Sequence, residues 1–403
     1  MGDFLIPIFL IGILLELLVL LPLENSIVHG KLSQIQSISP PLTDRSLETD
    51  VVFRGIDFPT SMAFLDEEDI LVLEKNTGQV KRIVGGEMLP QPLIDVNVAN
   101  QAERGLLGIA VANHINGAAY VFLYYTEAED DDGGEAIGNR LYRFELEDDV
   151  LVRPKLLIDL PADPGPIHNG GKITIGPDEN LYVTVGDIRG PNPQEAGLVD
   201  GRGGIIRITQ DGHPVGSVLG EDHPVDMYYA YGIRNSFGLD FDPVTGNLWD
   251  SENGPGFGDE INLVRQGFNS GWAEVQGIWL NNGYSDLAEI SQNPEAALLQ
   301  FGGTSQYSNP QLSWVRSIGL TALTFLSTTE LGEEYENDLL VGDFHEGNIY
   351  HFDLSEDRSE LVLSGLVEDN IVDRDDDQDD IIFAEGFGGI TDMQLGPDGN
   401  LYV

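Results

Sequence analysis

Residues 173–187 read ITIGPDENLYVTVGD, and this stretch decides the fold. Two apolar runs flank a short turn that contains Gly, Pro, Asp and Asn. Proline and glycine supply the backbone angles that a tight turn needs, and Asp and Asn side chains close such turns. The run after the turn, LYVTV, is rich in β-branched and aromatic residues, which favour strands. The stretch therefore predicts an antiparallel hairpin.

The same phrase recurs along the chain. Clear copies are LDFDPVTGNLWDSEN from Leu239 and MQLGPDGNLYV from Met393, and weaker copies begin at Met62, Leu107 and Leu323. Short strands separated by turn residues indicate an all-β protein. Six copies of one hairpin predict a six-bladed β-propeller over residues 51–403. Long spacings between copies imply loops, and loops on one face of such a fold commonly carry the site.

The last predicted blade is short of strands, because the sixth copy reaches Val403. Two explanations stay open. Either the sequence is a fragment, or a strand around residues 51–53 completes a thin last blade.

The first residues of the chain predict export. Residues 4–23 are almost wholly apolar and contain one charged residue, Glu16. The run is long enough to span a bilayer as a helix. It is either a signal peptide or an uncleaved anchor, and no Lys or Arg precedes it, which favours the anchor. We expect an extracellular or cell-surface protein, with residues 24–50 as a linker.

The composition excludes several classes of function. The chain has 68 acidic and 20 basic residues, and its formal net charge is −48. Such a surface repels phosphate backbones, so we expect no nucleic-acid partner. The chain has no cysteine, which excludes disulfides, thiolate metal sites and cysteine nucleophiles.

Two short motifs are candidates for catalysis. His168 lies in the turn GPIHNGGK, where glycines let a ligand approach the backbone and histidine can move protons near neutral pH. Arg234 and Asn235 follow the aromatic run MYYAYGI, and an arginine beside apolar residues needs a partner or a ligand. The alternatives are a loop histidine bonded to a carbonyl oxygen, and an arginine paired with one of the many carboxylates.

The loop SENGPGFGDEIN, residues 251–262, is a candidate calcium site. It supplies carboxylates, including Glu260, and backbone carbonyl oxygens in a Gly/Pro turn, and calcium prefers such oxygen ligands. Its spacing matches no EF-hand. The run DRDDDQDD, residues 373–380, lacks the Gly and the distal Glu of a calcium loop, which indicates a solvated acidic loop.

Four motifs together resemble the soluble quinoprotein glucose dehydrogenase family, which includes the aldose sugar dehydrogenases and the glucose/sorbosone dehydrogenase domain. They are ERGLLGIA, IHNGGKITIGPDENLYVTVGD, YGIRNSFGLDFDPVTGNLW and ENGPGFGDEIN, and they occur in the family's order over residues 50–403. The resemblance implies a six-bladed propeller that holds pyrroloquinoline quinone (PQQ) and calcium in a cleft on one face.

The resemblance also implies roles for individual residues. His168 corresponds to the general base, Arg234 and Asn235 to residues at the quinone, and Glu103 to a polar side chain that contacts the quinone. The carbonyl oxygens of Gly254 and Pro255 correspond to ligands of the calcium bound to the cofactor. Glu260 and the Ser270 carbonyl oxygen correspond to a second, structural calcium site.

The sequence departs from the family at two places. The family has a Gly-Arg-Ile-Arg-Asp pattern whose arginines bind the carboxylates of the quinone, whereas residues 388–392 read GGITD. A cofactor lysine expected in the fifth repeat has no counterpart in LTFLSTTEL, residues 323–331. Because charge-assisted bonds contribute about 1.5–3 kcal/mol each, these departures weaken the expected binding of PQQ.

Three functional hypotheses follow. The first is an exported PQQ-dependent sugar dehydrogenase, in which His168 takes the proton of the anomeric hydroxyl, Arg234 stabilises negative charge, and an unknown acceptor removes the electrons. The second is a propeller of the same descent that has lost the quinone and serves as a binding module. The third is a calcium-dependent hydrolase of the lactonase type, although the sequence does not show the usual axial Glu, Asn and Asp.

Overall fold

The computed structural model describes residues 40–113, 119–195, 197, 199–278 and 298–403. The expected signal peptide or anchor at residues 4–23 lies outside the described residues. In the described ranges, none of the helices has both the length and the apolar character needed to cross a membrane. The described residues form one compact unit.

The first three blades are antiparallel sheets that follow the order of the chain. Blade one contains β1 (Pro59–Asp66), β2 (Asp69–Glu74), β3 (Gln79–Val84), β4 (Glu87–Met88) and β5 (Ile94–Asp95). Blade two contains β6 (Leu106–Asn113), β7 (Ala119–Ala128), β8 (Ala136–Glu147) and β9 (Val150–Leu160). Blade three contains β10 (Ile173–Ile175), β11 (Leu181–Val185), β12 (Gly204–Ile208) and β13 (Tyr228–Tyr231).

Blade four receives its last strand from the chain segment that lies between the last two strands of blade five. Blade four contains β14 (Ser236–Phe241), β15 (Leu248–Glu252), β16 (Asp259–Val264), β17 (Leu312–Trp314) and β21 (Ile371–Val372). Blade five contains β18 (Leu320–Phe325), β19 (Leu339–Asp343), β20 (Ile349–Phe352) and β22 (Ile382–Ala384). The strand β21 pairs parallel to β17, so the chain returns to blade four before it completes blade five.

The fold class is confirmed as an all-β propeller, but the predicted number of six blades is wrong. The structure has five blades, and the sixth phrase forms only a two-stranded sheet, β23 (Gln394–Leu395) with β24 (Leu401–Tyr402). Residues 51–53 form no strand. Instead, Phe53 packs in the apolar cluster that also contains Tyr402. Each hairpin phrase predicts only the first two strands of a sheet and carries no information on the outer strands. Counting the phrases therefore predicted one blade more than the structure has.

All six phrases form the hairpins that the sequence predicts. The described helical segments are short 3₁₀ turns, such as Val225–Met227 and Asp375–Asp380. The acidic run at residues 373–380 thus contains one of these turns. In the phrase at residues 173–187, Ile173 pairs with Val183 and Ile175 pairs with Leu181.

Apolar side chains fill the spaces between neighbouring blades. Trp249, Trp314 and Tyr350 are fully buried in the cluster between blades four and five, and the rings of Trp314 and Tyr350 lie 5.5 Å apart. Truncation of a buried aromatic side chain costs about 3–5 kcal/mol. These large rings therefore fix each blade against the next one.

The repeat of the hairpin also decides where functional groups collect. Glu103, His168 and Arg234 each lie just before the first strand of blades two, three and four. These first strands are neighbours in the structure: β6 contacts β10, and β10 contacts β14. Because the strands occupy equivalent places in successive blades, the segments before them meet on one face of the propeller.

Candidate active site

His168 is held in an unusual backbone conformation by close packing. Its φ is +63°, a left-handed value that side chains other than glycine rarely adopt and that often marks a functional site. A Cβ atom on Gly186 would lie 2.1 Å from the carbonyl oxygen of His168. Glycine at position 186 is therefore required for the turn and the strand end to approach each other. The His168 side chain is buried, with 6% of its surface exposed.

Both ring nitrogens of His168 have partners, and these partners fix the tautomer. The Nδ1 atom lies 2.6 Å from Oδ1 of Asp187, and the Nε2 atom lies 2.8 Å from a terminal nitrogen of Arg234. An arginine can only donate, so Nε2 accepts and the proton resides on Nδ1. The basic nitrogen of His168 thus faces the Arg234 guanidinium, and Asp187 supports the opposite nitrogen.

Arg234 is the cation of this cluster. Its second terminal nitrogen donates to the carbonyl oxygen of Asn253 at 2.8 Å. Burial lowers the pKa of Arg234, while the carboxylates of Asp187, Glu252 and Glu103 oppose this shift. The buried Nε atom has no hydrogen-bond partner within the described part of the chain. An unpaired donor on a desolvated cation is suited to an anionic or carbonyl ligand.

Glu103 and Asn235 complete the group that the sequence predicted. The Oε2 atom of Glu103 accepts from the backbone N–H of His168 at 2.6 Å and from the Asn235 amide at 3.1 Å. The Oδ1 atom of the Asn235 side chain accepts from the backbone N–H of Gly170 at 3.2 Å. The structure therefore brings Glu103, His168, Arg234 and Asn235 together, with Glu103 directed at protein groups.

Asp187 and Trp272 belong to the cluster and were not among the candidates from sequence. Burial favours a raised pKa for Asp187, but hydrogen bonds from His168, the Arg189 N–H and Trp272 lower the pKa below its ordinary value. Asp187 directly follows the quoted strand LYVTV and its glycine, so its place opposite the histidine turn of the same hairpin could have identified it. No local sequence signal indicates Trp272.

The Gly254–Pro255 turn has the properties of a cation site. Its carbonyl oxygens accept no hydrogen bond from the described residues. The Asp259 carboxylate holds the loop, since it accepts from the N–H groups of Gly254, Ile318 and Gly319, each at 2.8 Å. Fixed loops with free carbonyl oxygens suit calcium, which prefers oxygen ligands. The carbonyl oxygens of Gly254 and Pro255 are therefore candidate calcium ligands.

Glu260 and Ser270, the second predicted pair, lie beside a buried set of carboxylates. Asp250 faces Asn262 and Glu252 faces Glu260 across β15 and β16, so these side chains share one face of the sheet. The Ser270 hydroxyl donates to Glu252 at 2.5 Å and lies 3.3 Å from Glu260.

Several oxygen atoms of this set are unsatisfied. Both carboxylate oxygens of Asp250, the Asn262 Oδ1 atom and the Gln276 Oε1 atom are buried without a partner among the described residues. Burial raises the pKa of Asp250 well above its ordinary value, and burial raises the pKa of Glu260 to about 7. Unsatisfied buried oxygens fit a bound cation.

One other group has the spacing of a metal site. The ligand atoms of Asp338, His351 and Asp353 in blade five lie within 4.8 Å of one another. The His351 Nε2 atom lies 2.8 Å from Asp338. This group is separate from the cluster around His168.

The segment that departs from the family pattern has a structural role here. Asp392 accepts from the Lys172 ammonium at 2.5 Å and from the Ser61 hydroxyl at 2.9 Å. All three side chains are buried. Residues 388–392 thus supply a carboxylate, Asp392, that connects the segment before blade three with blade one, and Gly389 and Thr391 stand at the arginine positions of the family pattern.

Two curated relatives are similar in sequence to this chain, one over most of its length and the other over part of it. Aldose sugar dehydrogenase YliI of Escherichia coli (strain K12) is 25% identical over 368 residues, which is 89% of this chain and 90% of YliI. Quinoprotein glucose dehydrogenase B of Acinetobacter calcoaceticus is 28% identical over 266 residues, which is 58% of this chain and 54% of the relative.

Two solved structures have the same fold. The soluble aldose sugar dehydrogenase of Escherichia coli in its apo form has a TM-score of 0.68 and 22% identity, and the match covers 88% of this chain and 94% of that chain. The PQQ-bound aldose sugar dehydrogenase of Streptomyces coelicolor has a TM-score of 0.62 and 23% identity, and the match covers 85% and 86% of the two chains.

The sequence model of the Glucose / Sorbosone dehydrogenase family matches residues 56–403. This range contains the five blades, the sixth hairpin and every residue of the cluster around His168. The chain belongs to the glucose/sorbosone dehydrogenase family.

Proposed function

We propose that this protein is a PQQ-dependent oxidoreductase that converts the anomeric hydroxyl of an aldose sugar to the lactone. The observation that carries this proposal is the placement of His168 between Asp187 and Arg234, at 2.6 and 2.8 Å. This arrangement gives a neutral imidazole whose basic nitrogen lies next to a cation. The named activities of the relatives in the same family support the reaction class.

The residues present fit the reacting end of the quinone and its calcium. The unpaired Nε atom of Arg234 and the Asn235 amide are polar groups that would contact the quinone. The free carbonyl oxygens of Gly254 and Pro255 would hold calcium, and Glu260 with Ser270 would hold a second, structural calcium. When bound, PQQ supplies the two-electron acceptor for hydride from the sugar carbon, and calcium supplies a Lewis acid.

The protein's own groups then handle the proton. The Nε2 atom of His168 accepts the proton of the anomeric hydroxyl, once the sugar oxygen replaces the Arg234 nitrogen beside it. The Asp187 carboxylate keeps Nδ1 protonated and stabilises the imidazolium that forms. Arg234 moves away from Nε2 to make room for the sugar oxygen. Its guanidinium then stabilises the negative charge that develops on that oxygen.

The remaining partners follow from the same proposal. A sugar is the small-molecule substrate, and a separate electron acceptor must reoxidise the cofactor after each turnover. The apolar run at residues 4–23 supports an exported protein, either extracellular or anchored at the cell surface, with no nucleic-acid partner.

A second candidate function, a binding module that has lost the quinone, has one specific observation in its favour. Residues 388–392 carry no arginine, and Asp392 is committed to Lys172. The described cluster has three carboxylates, from Glu103, Asp187 and Glu252, and one cation, Arg234. This excess of negative charge disfavours the binding of a polyanionic cofactor.

A titration distinguishes these two functions. Purified protein is titrated with PQQ in the presence of calcium, and binding is followed by the absorbance of the cofactor and by tryptophan fluorescence. Aldoses are then added in a single-turnover experiment. Micromolar binding with reduction by a sugar supports the dehydrogenase. No binding of PQQ at these concentrations supports the binding module.

A further inference from the structure

Trp272 contacts both hydrogen-bond partners of His168, Asp187 and Arg234. Its indole nitrogen donates to Oδ2 of Asp187 at 2.6 Å. Its ring lies under the Arg234 guanidinium, 5.3 Å from the central carbon, which is within the range of a cation–π interaction. Trp272, Asp187, His168 and Arg234 therefore form a closed ring of contacts.

The Asp187 carboxylate depends on this indole for its orientation. Its Oδ1 atom accepts from His168 and from the N–H of Arg189 at 2.8 Å. Its Oδ2 atom accepts from Trp272. Asp187 has 5% of its surface exposed. Without the indole N–H, a buried carboxylate oxygen would lose its donor, and the carboxylate would rotate to recover one.

The backbone of Trp272 is held by hydrogen bonds to the neighbouring blade. The backbone carbonyl oxygen of Trp272 accepts from the Gln194 side-chain amide at 2.9 Å, and the backbone N–H of Trp272 donates to the carbonyl oxygen of Gly232 at 2.9 Å. The same Gln194 side chain also binds Asn269. These bonds fix the backbone from which the indole reaches Asp187 and Arg234.

We propose that Trp272 is a positioning residue that fixes the tautomer and orientation of the His168 imidazole through Asp187 and Arg234. The link to catalysis rests on the proposed function of His168 as the base. The effect on the imidazole does not, because it is a property of the protein without cofactor or substrate.

The test compares Trp272→Phe with wild type in cofactor-free protein labelled with ¹⁵N-histidine. Phenylalanine keeps an aromatic ring under Arg234 and removes only the indole donor. In wild type we expect a single Nδ1–H tautomer of His168 with a downfield, slowly exchanging proton, assigned by its loss in His168→Gln. In Trp272→Phe we expect mixed tautomers and faster exchange of that proton. An unchanged tautomer and exchange rate would overturn the proposal.

Trp314→Phe is the matched control. Trp314 is also buried, but its indole nitrogen has no partner among the described residues, so this change removes ring area and no hydrogen bond. The His168 resonances should stay as in wild type. Mixed tautomers and faster exchange of the His168 proton in Trp314→Phe would overturn the proposal, because they would show a general effect of packing.

Two further readouts cover the other outcomes. If Trp272→Phe does not fold, the indole N–H exchange of Trp272 in wild type decides: slow exchange that becomes fast in Asp187→Ala supports the proposal, and fast exchange in wild type overturns it. With PQQ and calcium present, Trp272→Phe should lower kcat about 10–100-fold, as other outer-shell partners do, and leave KM unchanged. A wild type without activity defeats the proposed function, while the tautomer measurement still decides the role of Trp272.

Discussion

At the scale of single residues, the Nε2 lone pair of His168 is already directed at a donor. A terminal nitrogen of Arg234 donates a hydrogen bond to Nε2 of His168 at 2.8 Å, and Asp187 accepts from Nδ1. In the proposed reaction, substrate binding would separate His168 from Arg234, while the imidazole would stay fixed by Asp187. The two side chains should consequently respond differently to substitution.

His168→Ala should lower the turnover of sugar about 10²–10⁴-fold, the usual contribution of a general base. The binding of PQQ should persist, because it depends on several other groups. Single-turnover reduction by an aldose measures the first effect, and a PQQ titration measures the second. The control is His213→Ala, an exposed residue in the turn after β12. Turnover that survives His168→Ala would remove His168 as the base.

Arg234→Lys should lower both turnover and affinity for PQQ. Lysine keeps the charge but is a single point donor, so it cannot reach His168 and the carbonyl oxygen of Asn253 together. Because a fixed cation serves the ground state as well as the developing charge, kcat and kcat/KM should fall together with the affinity for PQQ. A change confined to KM would show that Arg234 serves binding alone.

At the scale of elements, the β15–β16 hairpin concentrates negative charge inside the protein. Asp250, Glu252 and Glu260 are buried side by side, and burial raises the pKa of each carboxyl group above its ordinary value. Two states can satisfy this hairpin: protonated carboxyl groups, or ionised groups around a cation. Both states are open to experiment.

Without calcium, the stability of the protein should fall as the pH rises from about 4.5 to about 7. The pKa of Glu260 is 4.5 ordinarily and about 7 in the folded protein, so the folded state binds more protons in this window. The stabilisation is complete below pH 4.5 and is lost as the pH passes the folded pKa. Thermal unfolding of EDTA-treated protein across this window measures the effect. Glu260→Gln should flatten the curve, and an identical slope in the variant would contradict the assignment.

Calcium should raise the melting temperature at neutral pH. A ligand that binds only the folded state at 100 times its Kd stabilises by about 2.7 kcal/mol. Thermal unfolding with calcium and after chelation, with metal content determined in parallel, measures this difference. Glu260→Gln should reduce it. An unchanged melting temperature after confirmed removal of the metal would refute calcium binding by this hairpin.

At the scale of the whole molecule, the two-stranded sheet connects parts of the chain that are far apart in sequence. Asp392, just before β23, binds Lys172 before blade three and Ser61 in blade one. The ring of Tyr402 in β24 packs on Phe64 in β1, with centroids 4.8 Å apart. The sixth hairpin therefore contributes to global stability although it has only two strands.

Asp392→Ala should destabilise the protein by about 3–5 kcal/mol, because it leaves the buried Lys172 ammonium without its carboxylate. Ser61→Ala removes one hydroxyl donor to this carboxylate and should cost less, about 1.5–3 kcal/mol. Urea unfolding followed by intrinsic fluorescence measures both changes. Equal, small effects of the two substitutions would show that the buried ion pair contributes little to stability.

The sequence by itself determined the local features of this protein. Turn residues and strand-forming runs are read over a few positions, so the six hairpins could be predicted, together with the Gly-rich setting of His168 and the free carbonyl oxygens of the Gly254–Pro255 turn. The family motifs also placed Glu103, Arg234 and Asn235 in one group, which the structure brings together.

Only the tertiary structure decided the features that depend on contacts between distant segments. The number of blades depends on how outer strands pair, and β21 joins blade four from a late part of the chain. The ion pair of Lys172 with Asp392, and the indole of Trp272 behind Asp187, join residues whose neighbours in sequence give no sign of the contact. Hairpins and turns depend on residues that are close together in sequence, whereas these contacts form only once the blades have packed around a common axis.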